Sequence, residues 1–487
     1  MRTCHRASHR DVSPEEWGTV NARRAVVIGA GPAGLLAAAA LAPAVAEVVV
    51  LDHDELPEAP AHRRGVPQSR HAHLLMPGGM AVMEELLPGA DLRGRLVAAG
   101  ARETALSSDL LALAPTGWFR RWRHRTFITM TASRPLLEWG VRRAVLETNP
   151  QITVRRARVS GLRGSARRVT GVRLAGADGG PPEDLDADWV VDASGRGTRL
   201  LPWLDVLGVG GIRERHVDSG LANATRVYRV PPGAPDWPMT LVQADPWSGR
   251  PGRSGMIVPI EDGRWMVSLG GMRGSEPPKD PDAFLAYALN LPSPLVGRLI
   301  EAAEPLGPVH VSRSTSNSRR YLEDARRWPE RLVAIGDAAA TFNPIYGQGM
   351  SAAALGARAL AQAVREHGIE APGLARRVQR TVARAARGAW TAAVSTDVLY
   401  PGVEGARPTL GDRLAAAYSR RLNHAATGSY AAASALWDVT TLRTSPARLF
   451  RPDALLHALT GSPLPALSGP PLTAAERDFL SGLKPWV

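Results

Sequence analysis

The sequence predicts an α/β fold: a Rossmann-like nucleotide-binding domain with an inserted β-sheet substrate domain and a C-terminal helical segment. Three observations predict it. Between Ala25 and Asp52 an apolar strand passes through a glycine-rich turn into a helix, then into a second strand ending in an acid. Two later apolar runs, Trp189–Val191 and Leu332–Ile335, each lead into a loop of small residues. Between those runs, from Gly220 to Gly271, the pattern changes to longer strands.

The first element begins with Ala25–Ile28 and continues through Gly29-Ala30-Gly31-Pro32-Ala33-Gly34 into the helix-forming run Leu35–Leu41. Gly29 permits a tight turn, Gly31 lets a pyrophosphate approach the backbone, and Gly34 lets helix and strand pack closely. The helix N-terminus then offers free N–H groups to phosphate. Val48–Leu51 reads as the next buried strand, and Asp52 follows 18 residues after Gly34, where an acid accepts ribose hydroxyls. A strand on each side and the placed acid together read as a dinucleotide site.

No second strand-linked motif of this type occurs, so the chain lacks the sequence pattern of paired dinucleotide domains. Trp189–Val191 runs instead into Asp192-Ala193-Ser194-Gly195-Arg196-Gly197-Thr198-Arg199. Leu332–Ile335 runs into Gly336-Asp337 and, after a stretch of small residues, Pro344-Ile345-Tyr346-Gly347-Gln348-Gly349-Met350, with a small-residue helix from Ser351.

These three motifs, in this order, resemble the group A flavin monooxygenases that share the p-hydroxybenzoate hydroxylase fold, over about Arg24 to Leu360. The resemblance implies non-covalent FAD, with Asp337 and Gly336 at the ribitol chain and Pro344, Gly347, Gln348, Gly349 and Met350 along the isoalloxazine. Arg134, ahead of the amphipathic helix Pro135–Leu146, falls where that family places an arginine facing the cofactor. The resemblance also counts Asp192 among the cofactor-binding residues, and its motif departs from the usual form, carrying Ala193 and Arg196 after it. It is similar to the reductase, halogenase and polyether-epoxidase branches.

The run Arg63-Arg64-Gly65-Val66-Pro67-Gln68-Ser69-Arg70-His71-Ala72-His73 resembles the bacterial polyether epoxidases of the monensin and lasalocid type, with a looser likeness at Trp390–Pro401. This implies that Arg64 and Gln68 contact FAD from a loop. His71 and His73 form a pair without the third or fourth ligand that a tetrahedral metal site needs, so the segment reads as a bend and no metal is expected.

Gln151–Val159, Val169–Leu174 and Ala187–Val191 read as three strands of a meander. Met256–Ile260 and Arg264–Leu269, joined by Glu261-Asp262-Gly263, read as a hairpin and a candidate substrate floor. Two helical patterns follow, Pro281–Leu289 and Pro294–Ala303. The expected division is an FAD-binding domain of residues 22–95, 126–202 and 322–371, and a substrate domain of 96–125 and 203–321. Residues 372–487 are expected to form a helical cap and 1–21 a disordered leader. Trp118, Trp122 and Trp265 are candidates to line an apolar cavity, with ordinary packing as the alternative.

Composition narrows the partners. The net charge is +13, and all but two of the 59 basic residues are arginine, the exceptions being Lys279 and Lys484. The arginines are scattered, and Arg, Ala, Gly and Pro are enriched together as in a GC-rich genome, so nucleic acid is not expected. Cys4 is the single cysteine, which rules out an intramolecular disulfide and fits a reducing cytoplasm. The N-terminus has no apolar core of a signal peptide, and glycines, prolines and Glu47 break the most apolar stretch, so no membrane span is expected.

The resemblance implies a monooxygenase in which a flavin C4a-hydroperoxide passes one oxygen atom of O2 to a small apolar natural product. Epoxidation of a polyketide or terpenoid alkene is the leading reading. NAD(P)H or a separate flavin reductase would supply electrons. Aromatic hydroxylation, alkene reduction of the geranylgeranyl reductase type, and a silent flavin-binding partner remain as alternatives. Halogenation is disfavoured, because neither lysine lies in a motif.

Overall fold

The computed structural model describes residues 23–484 apart from 177–179, 235 and 314. The expected leader and Cys4 lie outside the described residues. At the centre is a five-stranded parallel sheet in the spatial order Leu332–Ala334, Trp189–Asp192, Arg24–Ile28, Glu47–Asp52 and Ile152–Arg156. Its central strands are buried nearly throughout, as parallel strands covered on both faces must be. Helices Pro32–Leu41 and Gly349–His367 pack against each other, and the latter packs against Leu374–Asp397.

The register matters most for function. Ile28 pairs with both Leu51 and Asp192, and Asp192 pairs with Ala334. The three motif-bearing loops and Asp52 therefore leave the sheet at one level, along its carboxyl edge, where open α/β sheets bind ligands.

The expected meander is corrected. Ile152–Arg156 joins the parallel sheet as its edge strand, and Trp189–Asp192 is a central strand of that sheet. The antiparallel unit between them is Val159–Gly164, Val169–Leu174 and Glu183–Asp186. Hydrophobic alternation identified Ile152–Arg156, Val169–Leu174 and Trp189–Asp192 but not Val159–Gly164 or Glu183–Asp186, and pairing partners are set by long-range contacts that local pattern does not encode.

The inserted sheet has seven strands, in the order His310–Ser312, Ala222–Arg229, Arg264–Gly271, Arg253–Ile260, Met239–Val242, Leu110–Ala114 and Gly117–Trp118. Its hairpin turns at Asp262 and Gly263, both with positive φ (60° and 62°). Side chains alternate between two faces. Ala224, Trp265, Val267 and Leu269 pack with helices Pro281–Leu289 and Leu295–Glu301. Val227, Met256, Val258 and Met266 pack instead with helices Leu410–Gly428 and Tyr430–Thr440.

The C-terminal segment thus performs two tasks. Helix Leu374–Asp397 lies on the parallel-sheet domain, and the next two helices cover the inserted sheet. The tail returns to the opposite face, where Arg121 pairs with Glu476 at 2.7 Å and Phe479 packs on Trp237. No helix among the described residues is long and apolar enough to cross a membrane.

Candidate FAD and substrate site

The glycines of the first motif separate into two kinds. Gly29 has φ +100°, and a Cβ there would sit 2.6 Å from the Ala193 carbonyl oxygen, so this glycine lets the first and second motif loops touch. A Cβ on Gly34 would lie 1.8 Å from the Gly29 oxygen. Gly31 differs, because its Cβ direction meets nothing within 4 Å. Its backbone, φ −74° and ψ 175°, suits any residue. Fold geometry therefore requires glycine at 29 and 34 but leaves room at 31 for something outside the chain.

Helix Pro32–Leu41 has no side-chain cap on its N-terminus, nor does helix Gly349–His367. Gly349 likewise faces open space in its Cβ direction, as do Gly195 and Gly197. Two uncapped helix ends beside a glycine-lined opening suit a ligand with a pyrophosphate and an electron-rich ring edge. These residues fit FAD.

Asp337 fits the same picture. Its backbone oxygen accepts from Thr341 and Arg320, but among the described residues no hydrogen bond engages its carboxylate. Burial pushes that carboxyl above its usual range, against the opposing pull of Arg196, Arg134 and Arg320. It is a carboxylate held among cations with acceptor capacity unused. Arg134 is buried at the start of helix Arg134–Thr148, with Nε 3.3 Å from Glu138. Gly336, at φ +65°, approaches Ala33 of the first helix.

Two further acids accept hydrogen bonds within the protein. Asp52 accepts from Ala30 N at 2.8 Å, Asp54 N at 2.9 Å and Arg63 at 3.1 Å. It thus braces the glycine turn. Asp192 is fully buried and accepts from Ser194 N and Oγ and from Thr198 Oγ1 at 2.5 Å. Its role is to close its own loop. Arg196, the unusual residue of that loop, donates to the Ser316 carbonyl at 2.9 Å and so reaches the strand Asn317–Arg320.

In the arginine-histidine run, Arg64 and Gln68 are exposed, and the buried cation is Arg63, set between Asp52, Asp54 and Glu138. Adjacent arginines are indistinguishable to a sequence reading, whereas burial separates them. His71 shares a hydrogen bond with Thr225 at 2.9 Å, and Thr225 another with Ser268 at 2.5 Å, so the loop docks on the inserted sheet. His73 Nδ1 donates to the His71 carbonyl at 2.8 Å. Burial pushes His71 down to about 4 and His73 down to about 3. Among the described residues the histidine pair belongs to no metal-ligand group.

The loop Pro344–Met350 is held from outside its own domain. Gly347 takes φ +64° to end the short turn Pro344–Tyr346, and Gln348 donates to the Thr440 carbonyl at 2.9 Å. Met350 is buried, whereas Pro344 and Gly349 are exposed. Beneath the turn lies Asp397, fully buried, which accepts from Asn317 at 2.7 Å, Asn343 at 2.9 Å, Ser219 at 3.4 Å and Tyr346 at 2.7 Å. Sequence reading missed this residue. Its signal is an acid on the buried stripe of an amphipathic helix, in step with Trp390, Ala393 and Val394.

An apolar layer under the C-terminal helices includes Phe119 and Phe127, both packed on Trp437 at ring distances of 6.3 and 5.5 Å. Trp122 meets Tyr430 edge-on at 5.7 Å in the same layer. Trp118 and Trp265 point to the other face of the sheet and are core residues there.

Comparison with known proteins identifies the family and the fold. The family described as FAD binding domain matches residues 23–368. The chain is 36% identical to the protein Rv3254 of Mycobacterium tuberculosis over 388 residues, covering 77% of this chain and 80% of the relative. It is 28% identical to kynurenine 3-monooxygenase of Salinispora arenicola over 346 residues, covering 68% of this chain and 70% of that one. The flavin-dependent brominase Bmp2 shares the fold, with a TM-score of 0.62 at 16% identity, covering 90% of this chain and 97% of its own. None of these likenesses puts the chain nearer the polyether epoxidases than other branches.

Proposed function

Because the chain belongs to the FAD-dependent monooxygenase-type family marked by this FAD binding domain, we propose that it transfers one oxygen atom of O2 to a small apolar organic substrate, epoxidising an alkene of polyketide or terpenoid type. FAD, when bound, supplies the oxygen-activating chemistry. The observation that carries the reading is the meeting of three motif loops at one sheet edge, beside an apolar layer roofed by the C-terminal helices.

In this reading Gly31 and the uncapped N-terminus of helix Pro32–Leu41 receive the pyrophosphate. Asp337 accepts a hydroxyl of the cofactor chain, with Arg134 beside it. Arg64 and Gln68, exposed on their loop, close over the cofactor when it binds. The turn Pro344–Gly349, pinned by Asp397 and Thr440, orients the ring. Phe119, Phe127, Trp437 and the methionines opposite them exclude water and seat the substrate without a charged partner. NAD(P)H, directly or through a separate reductase, delivers the electrons.

The test is mass spectrometry of products from an alkene panel, with FAD, a reducing system and 18O-labelled dioxygen. An epoxide carrying one label supports the proposal. A labelled phenol from an arene supplied in place of the alkenes would favour aromatic hydroxylation, the reading to which the kynurenine 3-monooxygenase likeness points. Saturated, unlabelled product under strict anaerobiosis would overturn oxygen transfer.

A further inference from the structure

The exposed large apolar side chains gather in one region. Of ten such residues among those described, Leu410, Leu414, Phe450, Leu455, Leu456 and Leu459 all lie between residues 410 and 459. Leu410 and Leu414 are one turn apart, 74% and 64% exposed, on helix Leu410–Gly428, and Tyr418 follows one turn later. Phe450, 63% exposed, stacks on Tyr418 at 5.6 Å with 15° between the rings. Helix Pro452–Thr460 packs against helix Leu410–Gly428. It buries Ala454 and Ala458 and turns Leu455, Leu456 and Leu459 to solvent. A helix folding only into its own core would place its leucines inward.

The charge around this face is one-sided. Residues 405–464 contain seven arginines, three aspartates and no glutamate. The aspartates are engaged, Asp412 in the cap of its helix and both Asp438 and Asp453 with Arg448. Arg413, Arg420, Arg421 and Arg451 are exposed and, among the described residues, make no ion pair. Arg413 stands beside Leu414, and Arg451 follows Phe450.

We propose that this face docks on an anionic lipid surface. The leucines and Phe450 would enter the boundary between headgroups and acyl chains, and the arginines would meet headgroup phosphates. A two-fold contact with a second copy would set the same unpaired arginines against one another, which disfavours self-association. The helices that carry the face also cover the apolar layer of the inserted sheet, so docking brings that layer close to lipid.

The full-length, flavin-loaded protein is sedimented with vesicles of phosphatidylglycerol and phosphatidylcholine, and with vesicles of phosphatidylcholine alone. The expected result is binding to the anionic vesicles that weakens with salt, and roughly tenfold less binding to the neutral ones. A Leu414→Gln, Leu459→Gln double variant should lose about tenfold or more of the binding. Both sites are more than half exposed, so its melting temperature and flavin absorbance should stay unchanged. Arg413→Gln with Arg451→Gln should lose binding at low salt. Absence of binding to anionic vesicles, or binding that the leucine substitutions leave intact, would overturn the proposal. So would a dimer that those substitutions break in sedimentation velocity without any vesicle binding.

Discussion

Tyr346 donates its phenol hydrogen to Asp397 Oδ1 at 2.7 Å, tying the turn Pro344–Tyr346 to the last residue of helix Leu374–Asp397. The same carboxylate accepts from Asn317 and Asn343. A single buried acid therefore joins the loop expected beside the flavin, a strand leading from the inserted sheet and the C-terminal segment.

Asp397→Ala should cost about 2 to 4 kcal/mol, since it leaves several buried donors without an acceptor. Tyr346→Phe should cost only about 1 kcal/mol, the worth of one bond. Urea denaturation read by far-UV circular dichroism measures both. An Asp397→Ala midpoint equal to wild type would mean that other contacts hold the loop.

Gly31 and Gly34 should respond oppositely to substitution. Gly31→Val is expected to melt near the wild-type temperature, because its side chain points into open space, yet to bind FAD at least tenfold more weakly. Gly34→Ala is expected to fail in folding, since its Cβ would lie 1.8 Å from the Gly29 oxygen. Flavin fluorescence titration and thermal melts separate the two effects. Full FAD loading of Gly31→Val would remove the pyrophosphate from this turn.

Asp337→Ala should weaken FAD binding by about 1.5 to 3 kcal/mol, the worth of a charge-assisted hydrogen bond. The cofactor-free protein should be no less stable, because this half-buried carboxylate makes no side-chain hydrogen bond among the described residues. A loss of stability without a loss of affinity would contradict the assignment.

His71 and His73 make stability depend on acidity. Both are pushed below the ordinary imidazole value by burial, His71 to about 4 with His310 adding to the effect and His73 to about 3 with Arg134 adding. The unfolded chain takes up these protons near pH 6.5 and the folded chain does not. Their contribution is therefore fully present above pH 6.5 and is lost as pH falls toward about 4 and then about 3. Urea unfolding across pH 4.5 to 7 should show stability falling with acid, with proton uptake reduced by about one in His71→Gln. A slope identical to wild type would mean that His71 titrates normally.

Much of the flavin side was legible because its signals are local. A tight turn, a close helix-strand approach and an open phosphate seat each demand glycine at a set spacing, and Gly29, Gly31 and Gly34 satisfy those demands within six residues. The hairpin at Glu261–Gly263 and the helices after it were legible for the same reason. Of the strands between Gln151 and Asp192, three were found, but Val159–Gly164 and Glu183–Asp186 were not, nor were the pairing partners.

Short-range stereochemistry is thus what the sequence by itself determined: the order of the three motifs, the type of each element and the family they indicate. The tertiary structure alone decided which groups are free to serve a ligand. Asp52 and Asp192 read as ligand acids, and folding also gives them donors within the chain, whereas the Asp337 side chain makes no hydrogen bond among the described residues. Asp397 finds Tyr346, Asn343, Asn317 and Ser219 at separations of 51 to 178 residues. Burial and hydrogen-bond occupancy depend on chain segments meeting across such distances, and local pattern carries no record of those meetings.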